Sequence, residues 1–389
     1  AFTFGTRYDY TAPGGSYSGF LALDDFSMDG KTDIATGTAS STINTYNNIL
    51  NPLAAEPTPG ASTLTFSNVA QNSVTLNFTG GNGANRIVVA KKAGSIGILP
   101  FDGTTYSSNA AFGTPATDIG GGVFVLYNGN QNTVNVTNLE SNTQYYYAVF
   151  EYNGSTCQAN YLASPFASNN LTTLNAPPTL DPISNPAAIC QNSGLQSVNL
   201  TGIGTGAVNE TQTISITATS SNQTLIPNAN IAVTYTSPNT TGTLGYTSSS
   251  GQSGIAVITI AATDGASNNN LTEVTFTVTV TPAPTTANAG SNQTICSSFA
   301  ALTANTPAVG TGTWAITYTS NGAITIASPG SAATAINNFN INDTVRLSWT
   351  ISNPPCAPSV SFVSLKLSLI HISEPTRLRR ISYDVFCLK

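Results

Sequence analysis

Gln144-Tyr145-Tyr146-Tyr147-Ala148-Val149-Phe150 is the stretch that decides the fold. An extended segment sends alternate side chains to opposite faces, so Tyr145 and Tyr147 lie on the same face. Aromatic and β-branched residues in short alternating runs are typical of strands. The same character recurs at Leu64-Thr65-Phe66, Val74-Thr75-Leu76-Asn77-Phe78 and Ile87-Val88-Val89-Ala90. Since no segment shows a 3.6-residue period with helix caps, we predict an all-β protein.

The composition narrows the class of protein. The 389 residues exceed one ordinary domain, and only 7% are charged, far below the roughly 25% of typical soluble proteins. The formal charge is 11 − 17 = −6, which gives no basic footprint for nucleic acid and suits divalent cations better than polyanions. No run of about 18 apolar residues is present to span a membrane.

The region around the opening stretch resembles a fibronectin type III domain. That family shows Gly-Leu-x-Pro-x-Thr-x-Tyr-x-x-x-Val at the corner between its strands E and F. The positions that match here are Leu139, Thr143, Tyr145 and Val149, whereas Asn138 and Ser141 replace Gly and Pro, and Phe78 replaces the strand-B tryptophan.

The resemblance implies a β-sandwich over residues 61–174. Tyr145 would be the corner tyrosine, with its hydroxyl bonded to nearby backbone. The span between Lys92 and Val123 is longer than the usual connection, and we expect it to be an insertion that contains an extra hairpin.

The N-terminal residues 1–54 resemble one blade of the FG-GAP or VCBS repeat family. The family core Asp-Phe-x-x-Asp-Gly-Lys-x-Asp-[Leu/Ile] is matched by Asp25-Phe26, Asp29-Gly30-Lys31 and Asp33-Ile34. We expect short strands within 18–23, 33–37 and 41–46. Because one blade cannot close a propeller ring, the resemblance implies missing neighbouring blades and a chain that is a fragment.

The same acidic loop is the candidate metal site. Oxygen ligands at every second residue, with a glycine at the bend, suit Ca²⁺. We assign the side chains of Asp25, Ser27, Asp29 and Asp33 together with the Lys31 carbonyl. The alternative is a hydrated acidic turn that is stabilised by bonds from Asp to the backbone.

Two further units follow. Residues 176–282 resemble a bacterial cadherin- or immunoglobulin-like sandwich, chiefly between Gly251 and Gly265. Residues 285–365 resemble a polycystic-kidney-disease-type (PKD) domain, on the opening run from Ala287 to Cys296. Trp314 and Trp349 lie in alternating segments and are expected to anchor this core. The family resemblances together point to large secreted surface proteins of the Bacteroidetes type.

Three acids in the third unit have two interpretations. In cadherin-like modules, residues such as Glu210 and Asp264, joined here by Asp181, share calcium between domains. The motifs are incomplete, so solvated acids in turns are the favoured interpretation.

The cysteines outside the C-terminal tail are Cys157, Cys190, Cys296 and Cys356. Cys296 and Cys356 flank Trp314, as in the Cys–Trp–Cys pattern of immunoglobulin sandwiches, so we predict a disulfide between them. Cys157 and Cys190 lie in neighbouring units and either bridge them or stay free. Without Cys-x-x-Cys pairs or histidines beside them, a zinc site is not expected.

Residues 367–389 resemble a translated sequencing-library adapter at Leu367 to Arg377 and again at Ile381 to Leu388. We therefore exclude this tail from the fold, as one excludes a fusion scar. The exclusion removes His371, the single histidine, and with it any Ser-His-Asp or Cys-His arrangement.

These observations predict a non-catalytic structural and adhesive array in a large secreted or cell-surface bacterial protein. It would space and present binding surfaces for a surface protein or glycan, with calcium in the N-terminal blade. The alternative is a set of accessory modules of a secreted hydrolase whose catalytic domain lies outside this chain. A third interpretation, that the sandwiches bind glycans, predicts exposed aromatic clusters away from the cores.

Overall fold

A computed structural model describes residues 21–24, 33–37, 43–46, 53–320 and 322–368. Apart from three 3-10 turns, at Pro115–Thr117, Thr156–Gln158 and Asn228–Asn230, the regular structure of these residues is β-strand. The prediction of an all-β protein is confirmed. The chain divides into two compact units, residues 1–174 and 175–389. In the described part of the chain, no helix is long and apolar enough to cross a membrane.

The first unit begins with a three-stranded antiparallel sheet. Its strands, in the order β1-β2-β3, are β1 (Leu21–Asp24), β2 (Asp33–Gly37) and β3 (Ile43–Tyr46). The three strands expected in this region are present. The assignment of the sheet to a propeller blade stays a prediction.

The first sandwich follows in the same unit. Its strands are β4 (Ser62–Ser67), β5 (Val74–Thr79), β6 (Asn85–Lys92), β7 (Val123–Gly129), β8 (Thr133–Val136), β9 (Gln144–Asn153), β10 (Asn160–Tyr161) and β11 (Ala167–Thr172). One sheet has the order β4-β5-β8, and the other has the order β10-β9-β6-β7 with β11 also on β9. The core between the sheets includes Leu76, Val88, Tyr145 and Tyr147.

The larger sheet of this sandwich is buried on both faces. Ile87 and Phe150 alternate with the residues of the first core and belong to a second apolar cluster. Residues 93–122 cover that cluster, and Ile96 and Ile98 pack against it. The predicted extra hairpin is wrong, because this segment contains no strand of its own. Glycines at 120–122, all with positive φ, keep it irregular up to β7.

The second unit contains two sandwiches of one plan. The strands of the second sandwich are β12 (Ile189–Cys190), β13 (Gln196–Leu200), β14 (Ser215–Ser220), β15 (Ile231–Thr234), β16 (Gly242–Tyr246), β17 (Gly254–Thr263) and β18 (Leu271–Thr281). The sheet orders are β12-β18-β17-β14 and β13-β16-β15. The short β12 runs parallel to the end of β18, and the other pairings are antiparallel.

The third sandwich repeats this plan. Its strands are β19 (Gln293–Ile295), β20 (Phe299–Thr303), β21 (Thr311–Thr319), β22 (Thr325–Ile326), β23 (Ala333–Asn337), β24 (Thr344–Ser352) and β25 (Ser359–Leu367). The sheet orders are β19-β25-β24-β21 and β20-β23-β22. Leu367 is buried, so β25 continues past the predicted end of the unit. The rest of the predicted adapter, from residue 369, lies outside the described residues.

Two tryptophans form the centre of the third core, as predicted. Trp314 and Trp349 are direct cross-strand partners, and their ring centroids lie 5.1 Å apart. Both are buried. Gly312 is on the same face of β21, and a Cβ atom there would overlap the Trp349 ring. The small residue at 312 therefore makes room for the large one at 349.

We expect Gly312→Ala to lower the free energy of unfolding of this sandwich by about 1–3 kcal/mol, because the added methyl group overpacks the core. Gly330→Ala is the matched control, since a Cβ at 330 meets no atom within 4 Å. Urea unfolding followed by tryptophan fluorescence measures both variants. Equal transition midpoints in the two variants would contradict this packing.

Candidate functional site

The predicted calcium site falls outside what the structure describes. Asp25, Ser27, Asp29 and Lys31 lie beyond the described residues, and Asp33 is described only as the first residue of β2. Calcium there stays a prediction. Within the described ranges, no three His, Cys, Asp or Glu side chains come together as a metal-binding group.

Cys190 forms a disulfide with Cys356. The Cα atoms lie 4.8 Å apart, and the two residues are 166 positions apart in the sequence. The predicted Cys296–Cys356 disulfide is therefore wrong, since Cys356 bonds elsewhere. Cys157 is a free, exposed thiol.

The position of β25 explains the error. Cys296 lies near the end of β25, because it directly follows β19, which pairs in parallel with β25 up to Leu367. Cys356 lies near the start of β25, three residues before Ser359. The two ends of this nine-residue strand lie roughly 26 Å apart at ~3.3 Å per residue. A disulfide requires Cα atoms within about 7 Å.

The chain between the sandwiches brings the correct partners together. Cys190 lies beside Thr281 at the end of β18. The Cys356 sulfur lies 3.5 Å from the Thr281 carbonyl oxygen and 3.4 Å from that of Pro282. One signal was present in the sequence: Ile-Cys recurs at 189–190 and 295–296, where the first strand of each sandwich ends. The repeat places Cys190 and Cys296 at equivalent positions of the two sandwiches. The position of Cys296 and Cys356 on either side of Trp314 was therefore not a reliable guide to the disulfide.

The corner tyrosine is confirmed. The Tyr145 side chain is fully buried, and its hydroxyl accepts a 2.9 Å hydrogen bond from the Glu140 backbone N–H. Burial, which disfavours the charged form, raises the pKa of Tyr145 above its ordinary value, so the phenol stays neutral. Asn138 has φ +59°, a left-handed conformation that asparagine tolerates better than most residues, which explains why it can replace glycine there.

A buried ion pair that sequence analysis missed lies on the same sheet. Arg86 and Glu151 are direct cross-strand partners, with 3.2 Å between Nε and Oε1. The Arg86 guanidinium also donates to the Asn130 carbonyl at 3.1 Å, and the Gly81 N–H donates to Glu151 Oε1 at 2.9 Å. Arg86 therefore holds the loop at Asn130 in place, and Glu151 holds the loop at Gly81. Only the register of β6 and β9, which the sequence does not reveal, pairs them.

The interpretation of Glu210 and Asp264 as solvated turn acids is wrong, since both are buried. Glu210 accepts a 3.0 Å hydrogen bond from the Ala176 N–H, and Asp264 accepts one of 2.7 Å from the Asn175 side chain. These carboxylates fix the start of the second unit to its sandwich. Asp181 is exposed and accepts a 2.8 Å bond from the Thr201 hydroxyl.

The third sandwich has an exposed aromatic and cationic surface. We call the side chains of Tyr318, Arg346, Phe362 and Lys366, on the outer side of β21, β24 and β25, the outer face. Tyr318 is 58% exposed and Phe362 is 46% exposed, and the Arg346 guanidinium lies 4.1 Å from the centroid of the Phe362 ring. Tyr318 and Phe362 lie away from the core of the sandwich, and the glycan interpretation stays a prediction.

Strand register places Arg346 at the centre of the outer face. Tyr318 lies directly opposite it on β21, after a bulge in that strand, and Ser364 lies opposite it on β25. Phe362 and Lys366 are two residues either side of Ser364, so both are diagonal neighbours of Arg346. The sequence does not reveal this surface, because the four residues belong to three strands.

The charge of the outer face differs from that of the whole chain. Residues 285–368 contain two basic residues, Arg346 and Lys366, and one acid, Asp343. Asp343 is buried and accepts a 2.6 Å bond from the Asn340 N–H. Among the described residues, neither Arg346 nor Lys366 has an acidic side chain within salt-bridge distance. The outer face therefore has a local positive charge in a chain of net charge −6.

No protein-family model matches the chain, and no curated protein matches it. Among solved structures, the chain is similar to a three-Ig segment of titin at 14% sequence identity and a TM-score of 0.37. The match covers 82% of this chain and 97% of the titin segment. Protocadherin gamma B2 extracellular cadherin domains 3–6 give 11% identity, 88% and 84% coverage and a TM-score of 0.36. The FN1–FN3 domains of chicken CNTN1 give 11% identity, 82% and 100% coverage and a TM-score of 0.23.

By their names, these neighbours are tandem immunoglobulin, cadherin and fibronectin type III domains. The assignments to an FG-GAP blade, a PKD domain and a Bacteroidetes-type protein stay predictions. Since all three TM-scores are below 0.5, both the fold and the function are argued from the residues of this chain.

We expect Tyr145→Phe to lower the stability of the first sandwich by about 1–2 kcal/mol, because the Glu140 N–H loses its acceptor. Tyr146→Phe is the control: its hydroxyl bonds to the exposed Gln144 side chain, and its removal should change stability by less than about 0.5 kcal/mol. Chemical denaturation monitored by tyrosine fluorescence compares the two. Equal losses would show that the corner bond contributes nothing specific.

Proposed function

We propose that the chain is a non-catalytic structural and adhesive segment of a secreted or cell-surface protein, which spaces and presents a binding surface. The observation that supports this proposal is the disulfide between Cys190 in the second sandwich and Cys356 in the third. A covalent bond between consecutive sandwiches resists separation in a way that apolar contacts alone do not.

The disulfide also determines how tension would travel along the chain. A pulling force that enters before residue 190 passes through the disulfide to residue 356 and leaves through β25. The 165 residues between the two cysteines, 191 to 355, form a closed loop and carry no load. Nearly all strands of the two sandwiches lie in that loop, so those strands cannot be extended while the disulfide is intact.

The exit strand is well anchored for this role. β25 pairs with β24 along its length and with β19 at its end, so it lies inside the sheet. An internal strand pulled along its axis loses many backbone hydrogen bonds together. Disulfides persist in oxidising compartments, which supports a secreted or cell-surface location.

The buried acids offer no support for catalysis. Glu151, Glu210 and Asp264 each accept hydrogen bonds from backbone or amide groups and hold loops in place. General acid–base chemistry instead requires carboxylates that face a substrate cleft. These residues are better explained as structural acceptors.

Single-molecule pulling on the two termini tests the proposal. In a background where Cys157, Cys296 and Cys387 are replaced by serine, oxidised protein should show no extension from residues 191–355. The further change Cys190→Ser should add about 550–600 Å of contour length, which is 166 residues at ~3.3–3.6 Å each.

Reduction of the oxidised protein with a phosphine provides the control, and it should reproduce the gain without a substitution. Equal total contour lengths before and after loss of the disulfide would show that tension does not pass through it.

A further inference from the structure

We propose that the outer face of the third sandwich binds a polysaccharide with carboxylate groups, such as a uronic acid polymer. Arg346 would bind the carboxylate of a uronate residue, and Tyr318 would stack on the ring of the same residue. This inference deepens the proposed function, since it assigns a ligand class to the surface that the array presents.

The Arg346 side chain is organised before any ligand binds. Its guanidinium lies over the Phe362 ring at 4.1 Å from the centroid, which limits its motion and removes water from one side of the group. The planar fork is then available to pair with a carboxylate through two parallel hydrogen bonds. Phe362 is in this view a support for Arg346 and not itself the sugar platform.

Tyr318 supplies the aromatic ring on which a sugar ring can stack. It is 58% exposed and lies directly opposite Arg346, where side chains of neighbouring strands have Cβ atoms about 4.5–5.5 Å apart. An exposed aromatic ring offers an apolar face to the C–H side of a sugar, and its hydroxyl can bond to the sugar edge. A uronate residue has both features at this spacing: an apolar ring face and an attached carboxylate.

The remaining contacts favour a polymer of sugars over a single acid group. Lys366 is a second cation diagonal to Arg346, at a Cα separation of about 7–8 Å, so a second carboxylate along a chain can be neutralised. Thr344 and Ser364 are the direct cross-strand partners of Lys366 and Arg346, respectively, and their hydroxyls both donate and accept hydrogen bonds. Sugar hydroxyls also both donate and accept hydrogen bonds, so they can pair with these two side chains.

The positive charge of the outer face complements a polyanion, although the chain as a whole is acidic. The net charge of −6 argues against polyanion binding by the chain as a whole. The outer face is the exception, because both basic residues of residues 285–368 lie on it and the single acid of that range is buried.

The experiment measures binding of the full chain to immobilised polygalacturonate in calcium-free buffer, with neutral dextran and poly-L-glutamate as comparison polymers. Polygalacturonate should bind, and dextran should not. We expect Arg346→Gln to weaken binding about tenfold or more, Arg346→Lys to weaken it less, and Tyr318→Ala to weaken it about fivefold or more.

Matched controls use the same chain. Lys92→Gln removes an exposed cation of the first sandwich, and Phe299→Ala removes a 62% exposed aromatic residue of the opposite sheet. Neither should change binding. Because the C-terminal tail is basic, every measurement is repeated with Arg377, Arg379 and Arg380 changed to glutamine. Unchanged thermal unfolding midpoints establish that each variant is folded.

Two results would overturn the proposal. One is polygalacturonate binding that survives Arg346→Gln in the tail-neutralised background. The other is poly-L-glutamate binding as strong as that of polygalacturonate and unaffected by Tyr318→Ala, which would identify a site for acidic peptides. Neither result bears on the contour-length measurement, which depends only on the cysteines, so the two proposals fail separately.

Discussion

Burial of apolar sheet faces is the constraint on which the whole structure depends. With 7% charged residues, the chain obtains solubility from exposed hydroxyl and amide side chains, and each sandwich closes two sheets over one core. The first sandwich goes further, because residues 93–122 cover a second apolar face of its larger sheet. Strand alternation decides which residues are hidden, and so it also decides which remain outside to make contacts.

The disulfide adds a covalent constraint to this pattern of burial. Apolar packing holds each sandwich together, and among the described residues of the second unit the second and third sandwiches have separate apolar clusters. Cys190 and Cys356 join them beside the connecting segment at Thr281 and Pro282. The outer face lies on the sheet that contains β25, the strand through which tension would leave under the proposed function. The proposed binding surface and the proposed load path would then share a sheet.

Features that depend on local alternation could be predicted from the sequence, whereas those that depend on register or strand direction could not. Tyr145, Trp314 and Trp349 lie where period-two patterns place them. The Cys296–Cys356 error arose because the sequence does not tell which end of β25 each cysteine approaches. The length of the span between Lys92 and Val123 predicts an insertion with an extra hairpin, but length does not reveal that residues 93–122 cover a sheet face instead. The outer face requires the register of three strands and a bulge in β21, and the calcium loop at Asp25 to Asp33 stays a prediction.

One disulfide, between Cys190 and Cys356, joins the second and third sandwiches. Mass spectrometry of a non-reduced proteolytic digest, prepared with free thiols blocked at acidic pH, can detect it. We expect a cross-linked peptide pair that contains Cys190 and Cys356, together with a blocked Cys157. A peptide pair that joins Cys296 to Cys356, or blocked thiols at both Cys190 and Cys356, would contradict it.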